Sequence, residues 1–131
     1  MKKIPYVWKL VDNTDTGEFI SIANLSDAET IMRFRLTYKI GEETRPNIGK
    51  IFAFQTKEHA MKHLLDSLCD YTILKCTYTG KIKKAPYISY DNGSFLKFWA
   101  AKNHTLKESY IDTAPEGTIF VDSVTPIAVV K

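Results

Sequence analysis

The segment Tyr71–Gly80, YTILKCTYTG, constrains this chain most. Its β-branched and aromatic residues alternate with polar ones, and a glycine ends it. The pattern fits a strand and not a helix. Leu74, Cys76 and Tyr78 are expected on one face, with Ile73, Lys75 and Thr77 on the other. A strand with an apolar face needs that face covered, so the rest of the chain has to supply a sheet and something packed on it.

Further strand signals run along the chain. Tyr6–Asp12 (YVWKLVD) and Glu18–Asn24 (EFISIAN) flank the turn cluster DNTDTG and predict an N-terminal hairpin. Arg35–Ile40 (RLTYKI) predicts a strand with Leu36, Tyr38 and Ile40 on one face, and Lys50–Phe54 (KIFAF) predicts another. TIFVDSV and PIAVV predict two closing strands, with Pro126 at an edge or a bend. Three helix starts interrupt them. Ser26 and Glu29 form a capping box. Thr56 caps a helix from Lys57 to about Leu68, with Ala60, Met61, Leu64, Leu65 and Leu68 as its core stripe. Ser94 caps FLKFWAAKN, where Phe95, Phe98 and Trp99 share a face. The order predicts one α+β domain over residues 1–131, a mainly antiparallel β-sheet with about three short helices packed on it.

Charge and composition narrow the function. The 131 residues are 44% hydrophobic, enough for a core without metal or disulfide staples. Formal net charge is +3, carried by fifteen lysines against three arginines. Readers of base edges and clamps for phosphate favour Arg, so nucleic acid is not an expected partner. Cys69 and Cys76 match no metal spacing and read as reduced thiols. MKKIPYVWKL lacks the apolar run of a signal peptide, and no window approaches a membrane span. A soluble cytoplasmic protein is expected.

Catalytic motifs are missing. The chain has no G-x-S-x-G, no P-loop and no G-x-G-x-x-G, and its carboxylates are not paired. His59 and His63 have the i, i+4 spacing of two zinc ligands, but Ala60 stands where a metalloprotease helix carries glutamate. No third ligand stands nearby, and a solvent-facing pair is the expected reading. His104 has no local nucleophile or carboxylate beside it. No enzyme, no cofactor and no metal are expected.

The arginines are more pointed. Arg33 and Arg35 flank Phe34, and Arg45 precedes Pro46, which holds its backbone extended. If the two adjoining strands pair, these arginines approach one another near Tyr38, Phe52 and Phe54. Arg offers a fork for phosphate and a flat face for a base, and aromatic rings sandwich adenine. The alternative is that the rings are core and the arginines lie over them. Lys50 opens the aromatic strand. Asn92 and the amides before Trp99 can hold an anion or simply cap a helix. The candidate ligand residues are therefore Arg33, Arg35, Tyr38, Arg45, Lys50, Phe52, Asn92 and Trp99. The run Lys81, Lys83, Lys84 can bind phosphates or protect an edge strand.

The succession VWKLVD, YKIGEETRPNIGKIFAF, TKEHAMKHL, ILKCTYTGKI, FW and PEGTIFVDSVTPI covers nearly the whole chain. It resembles small proteins common in bacteriophages and prophages, and within them is similar to the Thoeris anti-defence 1 family. That resemblance implies a non-catalytic sponge for cyclic ADP-ribose signals, acting in the cytoplasm of an infected bacterial host. It also implies a homo-oligomer whose pockets hold the base between aromatic and Arg side chains. FQTKEHA and YTGKI also loosely resemble compact ADP-ribosyltransferase-like domains, whose usual His, Tyr and Glu are not found in order here. A protein-binding phage inhibitor with a Tyr-rich surface is the remaining expectation.

Overall fold

The computed structural model describes residues 4–14, 17–21, 36–46, 50–67, 71–84, 87–88, 112–114 and 116–130. The strands in chain order are β1 (Val7–Asn13), β2 (Phe19–Ser21), β3 (Thr37–Tyr38), β4 (Ile51–Phe54), β5 (Thr72–Thr79), β6 (Lys83–Lys84), β7 (Tyr87–Ile88), β8 (Asp112–Thr113), β9 (Thr118–Val121) and β10 (Ser123–Val130). The helix α1 (Lys57–Ser67) lies between β4 and β5.

Eight strands form one sheet in the order β10-β5-β1-β4-β9-β6, with β2 on β1 and β3 on β2. Each pairing is antiparallel. β7 and β8 form a separate pair. Only Asp122 separates β9 from β10, so the two are one path bent at that residue. Its first half pairs with β4 and its second with β5, and both β4 and β5 pair with β1. The sheet thus runs back on itself as a small ring. Pro126 sits at an irregularity between Pro126 and Ala128. Lacking an N–H, it offers only its carbonyl to the outer edge, where Gly41 N donates to it at 2.7 Å.

Alternation fills the ring. Val7 and Val11 of β1, Ile51 and Ala53 of β4, Leu74 and Cys76 of β5, Ile119 and Val121 of β9, and Val124 of β10 share one buried cluster with Tyr38. Burying a side chain such as Leu74 contributes about 2 kcal/mol. The opposite face is apolar over one section, where Leu10, Phe54 and Ile73 with Trp8, Tyr71 and Val130 meet Ala60 and Leu64 of α1.

This corrects the expected three helices on a sheet. Among the described residues the structure is antiparallel sheet with a single short helix. The curled sheet covers its inner face with its own opposite wall, and among the described residues one outer section is covered by a helix. The helix starts expected at Ser26 and Ser94 lie outside the described residues. Thr56 caps α1 as expected, accepting His59 N at 3.1 Å. The core stripe is narrower than its sequence suggests. Met61 is 37% exposed and Leu65 70% exposed. Ala60, His63 and Leu64 face the sheet instead, the His63 ring 5.6 Å from that of Phe54. Arg35–Ile40 also shortens to Thr37–Tyr38, with Ile40 in an exposed turn.

Candidate functional site

The register of β4 and β9 builds an outer surface with aromatic and charged rows. Ile51↔Val121 and Ala53↔Ile119 point inward, so Phe52↔Phe120 points outward. The two rings have centroids 5.0 Å apart at 46°. Phe120 is buried and Phe52 half-buried. Opposite Phe120 on its other side stands the exposed Lys83 of β6. One step further along the same face Lys50 meets Asp122, Nζ to Oδ1 at 2.6 Å. Two lysines therefore flank a pair of phenylalanines.

Asp122 is the electrostatic centre of this surface. The hydrogen bond from Lys50, and then the charges of Lys50, Arg45 and Lys83, hold its carboxyl below the usual carboxylate range. Its side chain occupies the space over Gly80, where an added Cβ would lie 2.2 Å from Oδ2. Gly80 has φ +84°, a left-handed turn that glycine adopts without penalty. Asp122 N donates to Thr79 O at 3.0 Å, tying the β9–β10 bend to the end of β5.

Arg45 lies beside this centre and is 61% exposed. Its Nε donates to Glu43 Oε1 at 3.0 Å. Glu43 Oε2 accepts from the buried Ser123 Oγ at 2.7 Å, and Ser123 Oγ is 2.6 Å from Thr79 Oγ1. The Ser123 and Arg45 hydrogen bonds lower the Glu43 pKa. Thr44, bonded to Val124 in both backbone directions, fixes this loop against β10. Arg45 is therefore carried on a tethered loop, and among the described residues its contact with Glu43 is through Nε, which leaves the terminal nitrogens to face another acceptor.

Inside the ring lies a different polar group. β1 leaves β4 after Trp8↔Phe54 and joins β2 from Val11↔Ser21. Lys9 stands at that fork and faces the interior between Val7 and Val11. Its Nζ donates to Phe52 O at 2.7 Å and lies 5.7 Å from the Tyr38 ring centroid. Desolvation lowers its pKa to about 8, against a small opposing effect of Cys76. Burial pushes the Cys76 thiol up to about 12. Burial also raises the Tyr38 phenol well above its ordinary value, a hydrogen bond with Ser21 opposing it.

Of the sequence-derived candidates, Arg45, Lys50 and Phe52 come to the outer surface of β4 and its neighbouring loop. Tyr38 is 1% exposed and forms part of the interior wall. Arg33, Arg35, Asn92 and Trp99 lie outside the described residues. The pairing of β3 with β4 on which their convergence was expected is not formed: β3 pairs with β2, and β4 with β1 and β9. Sequence reasoning missed Glu43, Asp122 and Phe120. A signal was present: K-I-F in one strand and F-V-D in another are mirror patterns that match charge to charge and ring to ring in antiparallel register.

The histidines are separated by their contacts. His59 Nδ1 is 2.7 Å from Thr56 Oγ1, and its Nε2 is 3.8 Å from Glu116 Oε1, while His63 packs on Phe54. Gly117 lies under the His59 ring, where a Cβ would come within 2.4 Å. Thr56 Oγ1 thus bridges the backbone N–H and the ring Nδ1 of His59, with the donor of the second bond set by the imidazole tautomer. This arrangement docks the start of α1 on the turn before β9.

Among the described residues no helix is long and apolar enough to cross a membrane. The chain matches no family model, and no curated protein and no solved structure matches it.

Proposed function

We propose that this chain is a non-catalytic binding protein for a small nucleotide-derived ligand that carries phosphate. The observation that supports this reading best is the Phe52–Phe120 pair with Lys50 and Lys83 at its borders. A purine or nicotinamide ring stacks on Phe52, and the phosphates reach Lys50, Lys83 and the free nitrogens of Arg45. Such a site needs complementarity and no nucleophile. Cyclic ADP-ribose is the ligand the sequence resemblance implies, with a phage counter-defence role and a homo-oligomeric sponge as its setting.

Isothermal titration with ADP-ribose, cyclic ADP-ribose isomers and cyclic dinucleotides tests this. Binding of at least one, weakened by Phe52→Ala and by Lys50→Ala, is expected. An absence of heat across the panel refutes the reading, and turnover of NAD would replace it with an ADP-ribosyltransferase-like activity. Specific capture of a host protein through this face would make the chain a protein-binding inhibitor instead.

A further inference from the structure

Three cations and two carboxylates meet where β9 bends into β10. Lys50 touches Asp122 directly, and Arg45 and Lys83 act on the same carboxylate through space. Arg45 is held by Glu43, and Glu43 by Ser123. Arg45, Lys50 and Lys83 against Glu43 and Asp122 leave one net positive charge at the cluster. Asp122 and Lys50 are both partly open to solvent, and a pair of this kind is weakly held because water screens it. Its neighbours explain why a carboxylate stands there: three cations repel one another without an anion between them.

We propose that Asp122 is an internal stand-in for phosphate, and that a ligand's phosphate groups take its place among Lys50, Arg45 and Lys83. The inference rests on the binding function proposed above and specifies its chemistry. A single negative charge that displaces Asp122 from Lys50 exchanges one anion for another and gains little. A pyrophosphate brings two or more charges and spans several cations. The site therefore selects a pyrophosphate-bearing ligand over a monoanion, and Asp122 sets the threshold. Glu43 differs from Asp122 because its second oxygen is fixed by Ser123, so it stays and orients Arg45.

Titration of the intact protein with inorganic pyrophosphate and, separately, acetate reads this out. Wild type is expected to bind pyrophosphate and to ignore acetate. Asp122→Asn removes one repelling charge a few ångströms from the incoming phosphate, which at surface dielectric tightens pyrophosphate binding about tenfold. Lys50→Met in the Asp122→Asn background is expected to cancel most of that gain. Asp122→Ser is measured alongside, so that a folding defect of one variant, seen by circular dichroism, leaves the other as the readout. Pyrophosphate affinity that is unchanged or weaker in folded Asp122→Asn or Asp122→Ser overturns the inference, as does equal binding of acetate. Nucleotides that bind without any effect of Asp122 sink the exchange alone. A gain for pyrophosphate with no nucleotide bound sinks the nucleotide reading alone.

Discussion

Lys9 gives the fold a pH dependence that can be worked out group by group. Its pKa falls from 10.5 to about 8 on folding because the ammonium loses water. Between those values the unfolded chain binds more protons than the folded one, so stability rises with pH. The slope approaches about 1.4 kcal/mol per pH unit, and from pH 7 to pH 9 the gain is about 1 kcal/mol. Cys76 acts oppositely. Its pKa rises from 9.0 to about 12, so the folded state holds a proton that the unfolded state loses, and stability falls above pH 9. Tyr38, also raised, adds to the fall above the ordinary tyrosine value of 10.0. Stability should thus climb from pH 7 to 9, level off as Lys9 and Cys76 cancel, and decline above pH 10. Lys9→Met removes the first limb alone. Urea denaturation of both proteins at pH 7, 8 and 9 should show the stability difference between them changing by about 1 kcal/mol in favour of wild type. Parallel profiles would refute the claim that the ammonium at the fork of β1 is desolvated.

Other substitutions probe the site and its supports. Gly80→Ala places a methyl group against the Asp122 carboxylate in a left-handed turn, and should lower stability by about 1–3 kcal/mol in thermal denaturation while weakening the Lys50–Asp122 pair. Thr56→Ala removes the cap of α1 and the partner of His59 Nδ1, with an expected loss of about 1 kcal/mol by urea titration. Arg45→Ala should weaken phosphate binding by about 1.5–3 kcal/mol by calorimetry without moving the melting temperature, since its pair with Glu43 is exposed.

What the sequence disclosed was local. The alternation of Tyr71–Gly80 correctly assigned Leu74, Cys76 and Tyr78 to one cluster and Ile73 to the other. The Lys-rich segment after it proved to contain a short strand at the sheet's end, where lysines discourage further pairing. Pro126 marked a real irregularity. What stayed hidden depended on distant partners. Lys9 looks like an exposed residue of an alternating strand until the fork of β1 turns it inward. Asp122 reads as a turn residue until antiparallel register sets it across from Lys50, 72 positions away. The expectation of three helices came from caps, which mark where a helix can begin but do not show that the sheet's inner face is covered by its own opposite wall. Met61 and Leu65 illustrate the same gap: the stripe was apolar, but among the described residues of α1 it is Ala60, His63 and Leu64 that face the patch beneath.

The most direct test of the binding account is an NMR titration of the labelled protein with ADP-ribose. Stacking on Phe52 and coordination by the neighbouring cations predict ring-current and amide shifts concentrated at Phe52, Lys50, Lys83, Asp122 and Arg45, with Tyr38 and Cys76 in the interior unmoved. Saturating binding with shifts at other surfaces, or none at Phe52 and Lys50, would contradict it.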